Sequence, residues 1–277
     1  MDLKAFQGDE HLPFRLVGET GMAVLLIHGF PGTPAELRPL ANSIHGSGLT
    51  VEVPLLPGFG HQIETLPMRS YGEWISSVRG SLANLQSSHE RVVVIGFSMG
   101  AALAIHTAVG PRPPDGLILL APFWQLGERW HQPFWPLLRM LLREFRPFEK
   151  ADFDDPAIRR ELRRSMPDAD LDHPATIEAI RKIAFPFRVL DQLRRLGRET
   201  WRVAPLVEIP LLVLQGSQDS IVPPTRTRRL IDRFPSEPEY VEVDADHQLI
   251  NHDGEAWARI VAILTDRLQV WTSAAEE

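Results

Sequence analysis

The chain has 277 residues, a net charge of −7 and no cysteine, and each of these facts excludes something. Without cysteine there can be no disulfide bond, thiolate metal site or cysteine nucleophile, and the acidic balance argues against a nucleic-acid partner held by bulk electrostatics. No secretory signal is visible and the apolar runs are too short to span a bilayer, so we expect a cytoplasmic protein without stable membrane insertion.

Apolar runs of strand length alternate with helical patterns through the first 122 residues. The predicted strands are Pro13–Val17 (at an edge), Met22–Ile27, Leu49–Leu55, Val92–Phe97 and Gly116–Leu120. The predicted helices between them are Glu36–Ile44, Tyr71–Leu85 and Ala101–Ile105. This alternation predicts an α/β fold whose mostly parallel sheet is covered by helices on both faces. In such sheets, functional sites form at the carboxyl ends of the strands.

The most informative motif is Gly96-Phe97-Ser98-Met99-Gly100, between an apolar strand and an alanine-rich helix. In this context, Gly-x-Ser-x-Gly forms a sharp turn that exposes the serine hydroxyl as a nucleophile. The turn brings the residues two before and two after the serine together, so both must be small. A chance match is the alternative, because glycine and serine are common in turns, but the flanking strand and helix favour the functional interpretation.

The alternation of strands and helices stops after Pro122. Residues 123–205 contain helical patches separated by prolines and no convincing strand. These patches are Trp135–Phe145, Ala157–Arg164, Ala175–Ala184 and Phe187–Leu196. We therefore predict an α/β core made of residues 1–122 and 206–277, with a helical cap over residues 123–205 inserted after the strand at 116–120. An ordinary helical subdomain is the alternative.

Two more strands follow the predicted cap, Pro210–Gly216 and Glu239–Val243, with helices at Thr225–Phe234 and Trp257–Val270. A polar loop follows each strand. Asp219 lies in the first loop and His247 in the second. Both residues are therefore expected at the edge of the sheet where Ser98 lies.

A serine hydroxyl needs a base within hydrogen-bond reach, and a carboxylate must orient that base. We predict His247 as the base, with His252 as its main competitor. We predict Asp219 as the orienting acid, although Asp244 and Asp246 lie nearer to His247 in sequence. Neighbours on a tight loop rarely point at each other's ring nitrogens, which favours Asp219. Its alternative role is to cap the helix that follows.

Hydrolysis through a serine also needs two backbone N–H groups that bind the developing oxyanion. Met99, the residue after the nucleophile, supplies one. The second is expected in His28-Gly29-Phe30-Pro31-Gly32, the loop after the first apolar strand. Phe30 is the predicted donor, because Gly29 lets the backbone approach and Pro31 has no N–H. A plain Gly-Pro turn is the alternative.

The chain resembles the α/β-hydrolase superfamily and, within it, the bacterial carboxylesterase and monoacylglycerol lipase group. The residues that carry the resemblance to this group are Leu12–Val17, Ala23–Pro34, Pro54–His61 and Gly96–Gly100. The resemblance implies a serine ester hydrolase that acts on acyl esters or monoglycerides without a cofactor. Two features depart from the group: Ala101 stands where many members have another glycine, and the predicted cap is longer than in small esterases.

The resulting hypothesis is a two-step acyl transfer from a small-molecule acyl ester, with no metal, no cofactor and no predicted oligomeric state. The predicted substrate-binding residues are the large apolar side chains of the cap: Phe123, Trp124, Trp130, Phe134, Trp135 and Leu138. Residues 123–205 hold 16 Lys and Arg against 13 Asp and Glu, which slightly favours an anionic acyl carrier. A thioesterase, a lysophospholipase and a non-catalytic binding protein of the same fold are the alternatives. A haloalkane dehalogenase would need an aspartate at position 98.

Overall fold

The computed structural model of the chain describes residue 6 and residues 8–127, 144–146, 148–156, 158–159, 162 and 170–273. Its strands in these residues are β1 (Phe14–Leu16), β2 (Met22–Ile27), β3 (Thr50–Val53), β4 (Arg91–Phe97), β5 (Gly116–Leu120), β6 (Glu144–Phe145), β7 (Phe185–Pro186), β8 (Leu211–Gly216) and β9 (Glu239–Val243). Its α-helices there are α1 (Pro34–His45), α2 (Tyr71–Gln86), α3 (Met99–Ala108), α4 (Pro174–Arg181), α5 (Phe187–Val203), α6 (Pro224–Ile231) and α7 (Trp257–Ser273). Short 3₁₀ helices cover Asp9–His11, Gly60–Met68 and Ala204–Leu206.

Seven of the strands form one sheet in the order β1-β3-β2-β4-β5-β8-β9. Only β1 runs antiparallel to its neighbour, β3, and every other pair in this sheet is parallel. The predicted mostly parallel sheet is therefore confirmed, including the edge position of its first strand. Because β2, β4, β5, β8 and β9 run in one direction, their carboxyl ends meet at one edge.

The central strands are buried on both faces, which explains why they appear in the sequence as continuous apolar runs. Leu25 and Val94 pack beneath α2, α3 and α5 on one face. Leu26 and Val93, their neighbours in sequence, pack beneath α1 and α7 on the other face. Helices therefore cover both sides of the sheet. Within the described residues, no helix is both long and apolar enough to cross a bilayer.

The region between β5 and β8 corrects part of the sequence prediction. Strands β6 and β7 lie in it and pair antiparallel, so the expectation that it contains no strand is wrong at this pair. Two residues per strand are too few to produce a recognisable alternation. Helix α5 continues to Val203, beyond the predicted end at Leu196, and packs against α2 and α3. The predicted helices at 135–145 and 157–164 lie mostly outside the described residues, and the end of the first is β6.

Candidate active site

Ser98 stands at the sharp turn between β4 and α3. Its backbone has φ 52° and ψ −112°, which residues other than glycine rarely adopt. The chain passes so close to itself that a Cβ on Gly96 would lie 2.3 Å from the carbonyl oxygen of Gly100. A Cβ on Gly100 would lie 2.1 Å from the carbonyl oxygen of Ile27. There is therefore no room for a side chain at either glycine, and the turn holds Ser98 at the carboxyl edge of the sheet.

The neighbouring strand β5 holds this turn through its carboxyl end. The Ser98 N–H donates to the carbonyl oxygen of Leu120 over 2.8 Å, and the Phe123 N–H donates to the Ser98 carbonyl oxygen over 3.1 Å. Ala121 lies between these two partners, is buried, and also has a positive φ of 46°. Two non-glycine residues in rare conformations at adjacent strand ends mark local backbone strain, which concentrates at functional sites.

His247 connects Ser98 to Asp219. The Ser98 hydroxyl donates to His247 Nε2 over 3.0 Å, and His247 Nδ1 donates to Asp219 Oδ2 over 2.7 Å. Because an ionised carboxylate only accepts, the bond to Asp219 keeps a proton on Nδ1 and leaves Nε2 as the acceptor. Ser98, His247 and Asp219 are 8%, 7% and 3% exposed, so solvent competes little for these bonds.

The carboxylate of Asp219 is fully buried and receives four hydrogen bonds. Oδ1 accepts the backbone N–H groups of Ile221 and Val222 over 2.9 and 2.7 Å. Oδ2 accepts the side-chain amide of Gln215 over 3.0 Å as well as His247 Nδ1. These donors replace the hydration that the carboxylate loses on burial. The two backbone donors precede α6, whose first turn receives no side-chain cap, so Asp219 does not cap that helix.

The competing residues point elsewhere. His252 is exposed and lies 3.3 Å from the carboxylate of Asp253. Asp244 accepts the side-chain amide of Gln218 over 2.6 Å, and Asp246 accepts the backbone N–H two residues further on over 2.8 Å. The structure therefore brings Asp219 to His247, rather than Asp244 or Asp246, which are closer to the histidine in sequence. Across the residues that the structure describes, no three His, Asp or Glu side chains are grouped closely enough to hold a metal ion.

The loop after β2 lies against the nucleophile turn. A Cβ on Gly29 would lie 3.4 Å from Cβ of Ser98. The Gly29 N–H donates to Glu36 Oε1 over 2.7 Å. Among the described residues, the N–H groups of Phe30 and Met99 have no hydrogen-bond partner. These are the two predicted oxyanion donors.

The buried ring of His28 also holds this loop. The Leu56 N–H donates to its Nε2 over 3.2 Å, so the ring proton lies on Nδ1, which donates to the Gly29 carbonyl oxygen over 2.9 Å. Burial lowers the pKa of His28 to about 4, because an imidazolium would lose its hydration there. His28 is therefore a neutral structural group, and both polar backbone atoms of Gly29 are held by side chains.

Comparison with known proteins identifies the family. Residues 18–252 match the model of the serine aminopeptidase S33 family. The chain belongs to this family of α/β hydrolases. The match spans both sides of the predicted cap and includes Ser98, Asp219 and His247.

Individual relatives and structures agree with the family. The chain is 27% identical over 214 residues to a thermostable monoacylglycerol lipase of Bacillus sp. (strain H-257), covering 73% of this chain and 72% of that protein. A structure from the pair of metagenome-derived lipolytic enzymes LipS and LipT has a TM-score of 0.72 at 18% identity and covers 96% of this chain and 98% of its own. The monoacylglycerol lipase of Paleococcus ferrophilus has a TM-score of 0.70 at 17% identity, covering 94% and 99%. The structures establish the α/β-hydrolase fold, and the family and relatives indicate a hydrolase of the lipase or esterase type.

The predicted substrate-binding residues of this α/β hydrolase fall into three groups. Phe123 is half-buried beside Ser98, to which its N–H is bonded. The indole of Trp124 stacks on Trp201 of α5 at 4.4 Å and donates to the Arg226 carbonyl oxygen of α6 over 2.9 Å. Its contacts therefore join α5 to α6. The other four lie outside the described residues: Trp130, Phe134, Trp135 and Leu138.

Two polar residues at the site escape sequence analysis. Glu36 bonds Gly29 from the first turn of α1, and Gln215 bonds Asp219 from inside β8. A glutamate near a helix start is common and gives no signal of this bond. Gln215 is the only polar residue in the run Leu211–Gly216, and that interruption of an apolar strand is the one hint in the sequence.

Proposed function

We propose that the protein is a serine hydrolase that cleaves carboxylic esters through Ser98, His247 and Asp219. The observation that carries the proposal is the position of His247, which bonds Ser98 Oγ over 3.0 Å and Asp219 Oδ2 over 2.7 Å. A base with this tautomer accepts the serine proton as the hydroxyl attacks a carbonyl carbon, and the carboxylate stabilises the imidazolium that forms.

The first step forms an acyl-enzyme. Ser98 Oγ bonds to the ester carbon, and its proton passes to His247 Nε2. The carbonyl oxygen becomes an oxyanion, which the Phe30 and Met99 N–H groups stabilise. When the tetrahedral intermediate collapses, the carbon–oxygen bond to the alcohol breaks, and the imidazolium returns its proton to the leaving alcohol.

The second step releases the acid. A water molecule gives a proton to His247 Nε2 and attacks the acyl carbon, so an oxyanion forms again between the same two N–H groups. Collapse breaks the bond to Ser98 Oγ, which recovers its proton from the histidine. The products are a carboxylic acid and the free enzyme, and the cycle needs no cofactor.

We propose acyl esters or monoglyceride-like molecules as substrates, with residues 123–205 as a cap over the site. The similarity to a Bacillus monoacylglycerol lipase supports this substrate class. Phe185 of β7 lies 5.6 Å from Phe30, ring to ring, so the proposed cap contacts the loop that carries an oxyanion donor. The ring of Phe59, which is fully buried, also packs 6.0 Å from that of Phe30. A loop packed among aromatic rings beside the proposed oxyanion donors suits an apolar acyl chain.

The decisive experiment measures hydrolysis of p-nitrophenyl esters from C2 to C16, and of monoacylglycerols, by wild type and Ser98→Ala. We expect wild-type turnover and a loss of about 10⁴- to 10⁶-fold in kcat for Ser98→Ala. The preferred chain length measures the acyl pocket. Residual activity within ten-fold of wild type would exclude Ser98 as the nucleophile.

Three further assays separate the alternatives. Acyl-CoA thioesters test for a thioesterase, and amino-acid p-nitroanilides test the activity named in the family description. Labelling of Ser98 by a fluorophosphonate tests for an activated serine whatever the substrate. A protein that is not labelled and cleaves none of these compounds would be a binding protein of the same fold.

A further inference from the structure

Gln215 is a buried polar residue in contact with the proposed catalytic acid. It lies near the end of β8, is 0% exposed and is surrounded by an otherwise apolar strand. Its Nε2 donates to Asp219 Oδ2 over 3.0 Å, the same oxygen that accepts His247 Nδ1. Nε2 also lies 3.0 Å from the Val222 carbonyl oxygen and 3.2 Å from that of Gly216.

The surroundings fix the orientation of this amide. All three atoms around Nε2 are oxygens that only accept, so exchanging Nε2 and Oε1 would place oxygen against oxygen. On the other side, the hydroxyl of Thr227 in α6 donates to Oε1 over 2.5 Å. Thr227 is also 0% exposed. The carboxamide is therefore held at both ends, with its donor side towards Asp219.

The amide of Gln215 completes the set of donors around a buried charge. The two backbone N–H groups bind only Oδ1 of Asp219, so among the described residues Oδ2 is bonded by His247 and Gln215 alone. Without the amide, more of the charge of Oδ2 would act on His247, and the carboxylate could pivot about Oδ1, which the two backbone N–H groups would still hold. The other carboxylates of the loops at this edge are bonded elsewhere: Asp244 accepts the Gln218 amide of the loop after β8, and Asp246 accepts the Gln248 N–H of its own loop.

We propose that Gln215 is a positioning residue, whose amide, held by Thr227, aims Asp219 Oδ2 at His247 and moderates the charge that the histidine meets. This inference rests on the proposed function, because it requires His247 to be the base for Ser98. Gln215 touches neither the substrate nor the reacting atoms and acts through Asp219 alone.

The first test compares Gln215→Leu with wild type. Leucine has nearly the same volume but donates no hydrogen bond. We expect kcat to fall about ten-fold with KM unchanged, as for other residues that orient a functional group from behind. Without the Gln215 amide, more of the Asp219 charge acts on His247 and stabilises its protonated form. The acidic limb of the kcat/KM profile should therefore move to higher pH, by roughly half a unit to one unit. Gln86→Leu is the matched control, because Gln86 is a buried glutamine bonded only to the carbonyl oxygens of Arg112 and Pro113 among the described residues.

The second test uses Gln215→Glu, which keeps the shape of the side chain. The introduced carboxyl group can donate its O–H to Asp219 when it is protonated, whereas it repels Asp219 when it is ionised. The kcat/KM of this variant should therefore approach wild type at low pH and fall at higher pH. Thr227→Val leaves the amide but removes its anchor, and it should give a smaller loss of kcat than Gln215→Leu. These two variants keep the test valid if Gln215→Leu does not fold.

The outcomes separate this proposal from the proposed function. The labelling rate of Ser98 by a fluorophosphonate is followed over the same pH range, because it reports activation of the serine without assuming an ester substrate. A pH-dependent change in labelling that needs Gln215, without ester hydrolysis, would support Gln215 and reject the ester substrate. Ester hydrolysis that needs Ser98, with pH profiles of Gln215→Leu and Gln215→Glu that superimpose on wild type, would overturn the role of Gln215 alone. Absence of both labelling and hydrolysis would overturn both.

Discussion

The loops around Ser98 and the interface between α3 and α5 are both buried, but they are built in opposite ways. At the loops, side chains bind backbone atoms and one another, and the carboxylate of Asp219 alone receives four hydrogen bonds. At the interface, apolar side chains dominate the packing, and Thr200 Oγ1 meets His106 Nε2 at 3.3 Å. The first region fixes the direction of polar groups, and the second fixes the position of a helix.

This difference predicts which property each region controls. Changes at the loops should lower kcat with little effect on the unfolding free energy, because they alter the direction of polar groups and remove little buried apolar area. Changes near α5 should alter stability with little effect on catalysis, because they remove buried apolar area. Four predictions test this separation.

Asp219→Asn should have the largest effect. The asparagine amide would face His247 Nδ1, so the histidine would carry its proton on Nε2 and could not accept one from Ser98. We expect kcat to fall about 10⁴-fold with an unfolding free energy near that of wild type. Esterase assays and thermal unfolding measure the two quantities. Asp244→Asn, at an exposed neighbour, is the control, and a loss below ten-fold for Asp219→Asn would refute the assignment.

Trp124→Ala should act mainly on stability. Its indole stacks on Trp201 and bonds the Arg226 carbonyl oxygen, so its loss should lower the unfolding free energy by about 3 kcal/mol. Trp124→Phe keeps a ring but loses the N–H, and it should lower the unfolding free energy by about 1 kcal/mol. Urea unfolding gives both values. If Trp124 lines the acyl pocket, Trp124→Ala will instead raise KM for long-chain esters. That result would contradict the prediction that changes near α5 affect stability rather than catalysis.

Glu36→Ala should weaken catalysis by about ten-fold in kcat, because the Gly29 N–H would lose its partner and the Phe30 N–H its alignment with the oxyanion. Glu36→Gln retains an acceptor oxygen and should restore most of the activity. The two variants are compared on one short-chain ester, where the cap matters least. Equal activity in both would show that the bond to Gly29 does not align the donor.

The pH dependence of stability gives the fourth test. Burial lowers the pKa of both His28 and His106 to about 4, with the charge of Arg79 adding to the effect at His106. The unfolded chain takes up these protons near pH 6.5 and the native state only near pH 4, so the unfolding free energy falls as the pH decreases through that window. Each histidine contributes a slope of about 1.4 kcal/mol per pH unit. Urea unfolding of His106→Gln between about pH 4 and pH 7 should show that much less slope, and parallel curves would contradict the role of burial.

The sequence alone predicted the mostly parallel sheet and the sharp turn that carries Ser98. Strands buried on both faces need continuous apolar runs, and the runs at Met22–Ile27 and Gly116–Leu120 correspond to strands with the predicted bounds. The partly exposed edge strand Glu239–Val243 also has the predicted bounds. The turn at Ser98 could also be predicted, because the close approach of the backbone there leaves room only for glycine at positions 96 and 100. These features are local, since their physical causes lie within a few residues along the chain.

Only the tertiary structure decided the partners. His247 meets Asp219 and Ser98 across 28 and 149 residues of sequence. The sequence favoured Asp219 over Asp244, but only the structure shows the hydrogen bond that joins Asp219 to the histidine. The bond of Gln215 to the same carboxylate, and the contacts of Trp124 with α5 and α6, depend on where side chains point after the helices have packed. Hydrophobic periodicity reports which face of an element is buried, whereas hydrogen bonds depend on the angles and distances between elements, which only the assembled fold fixes.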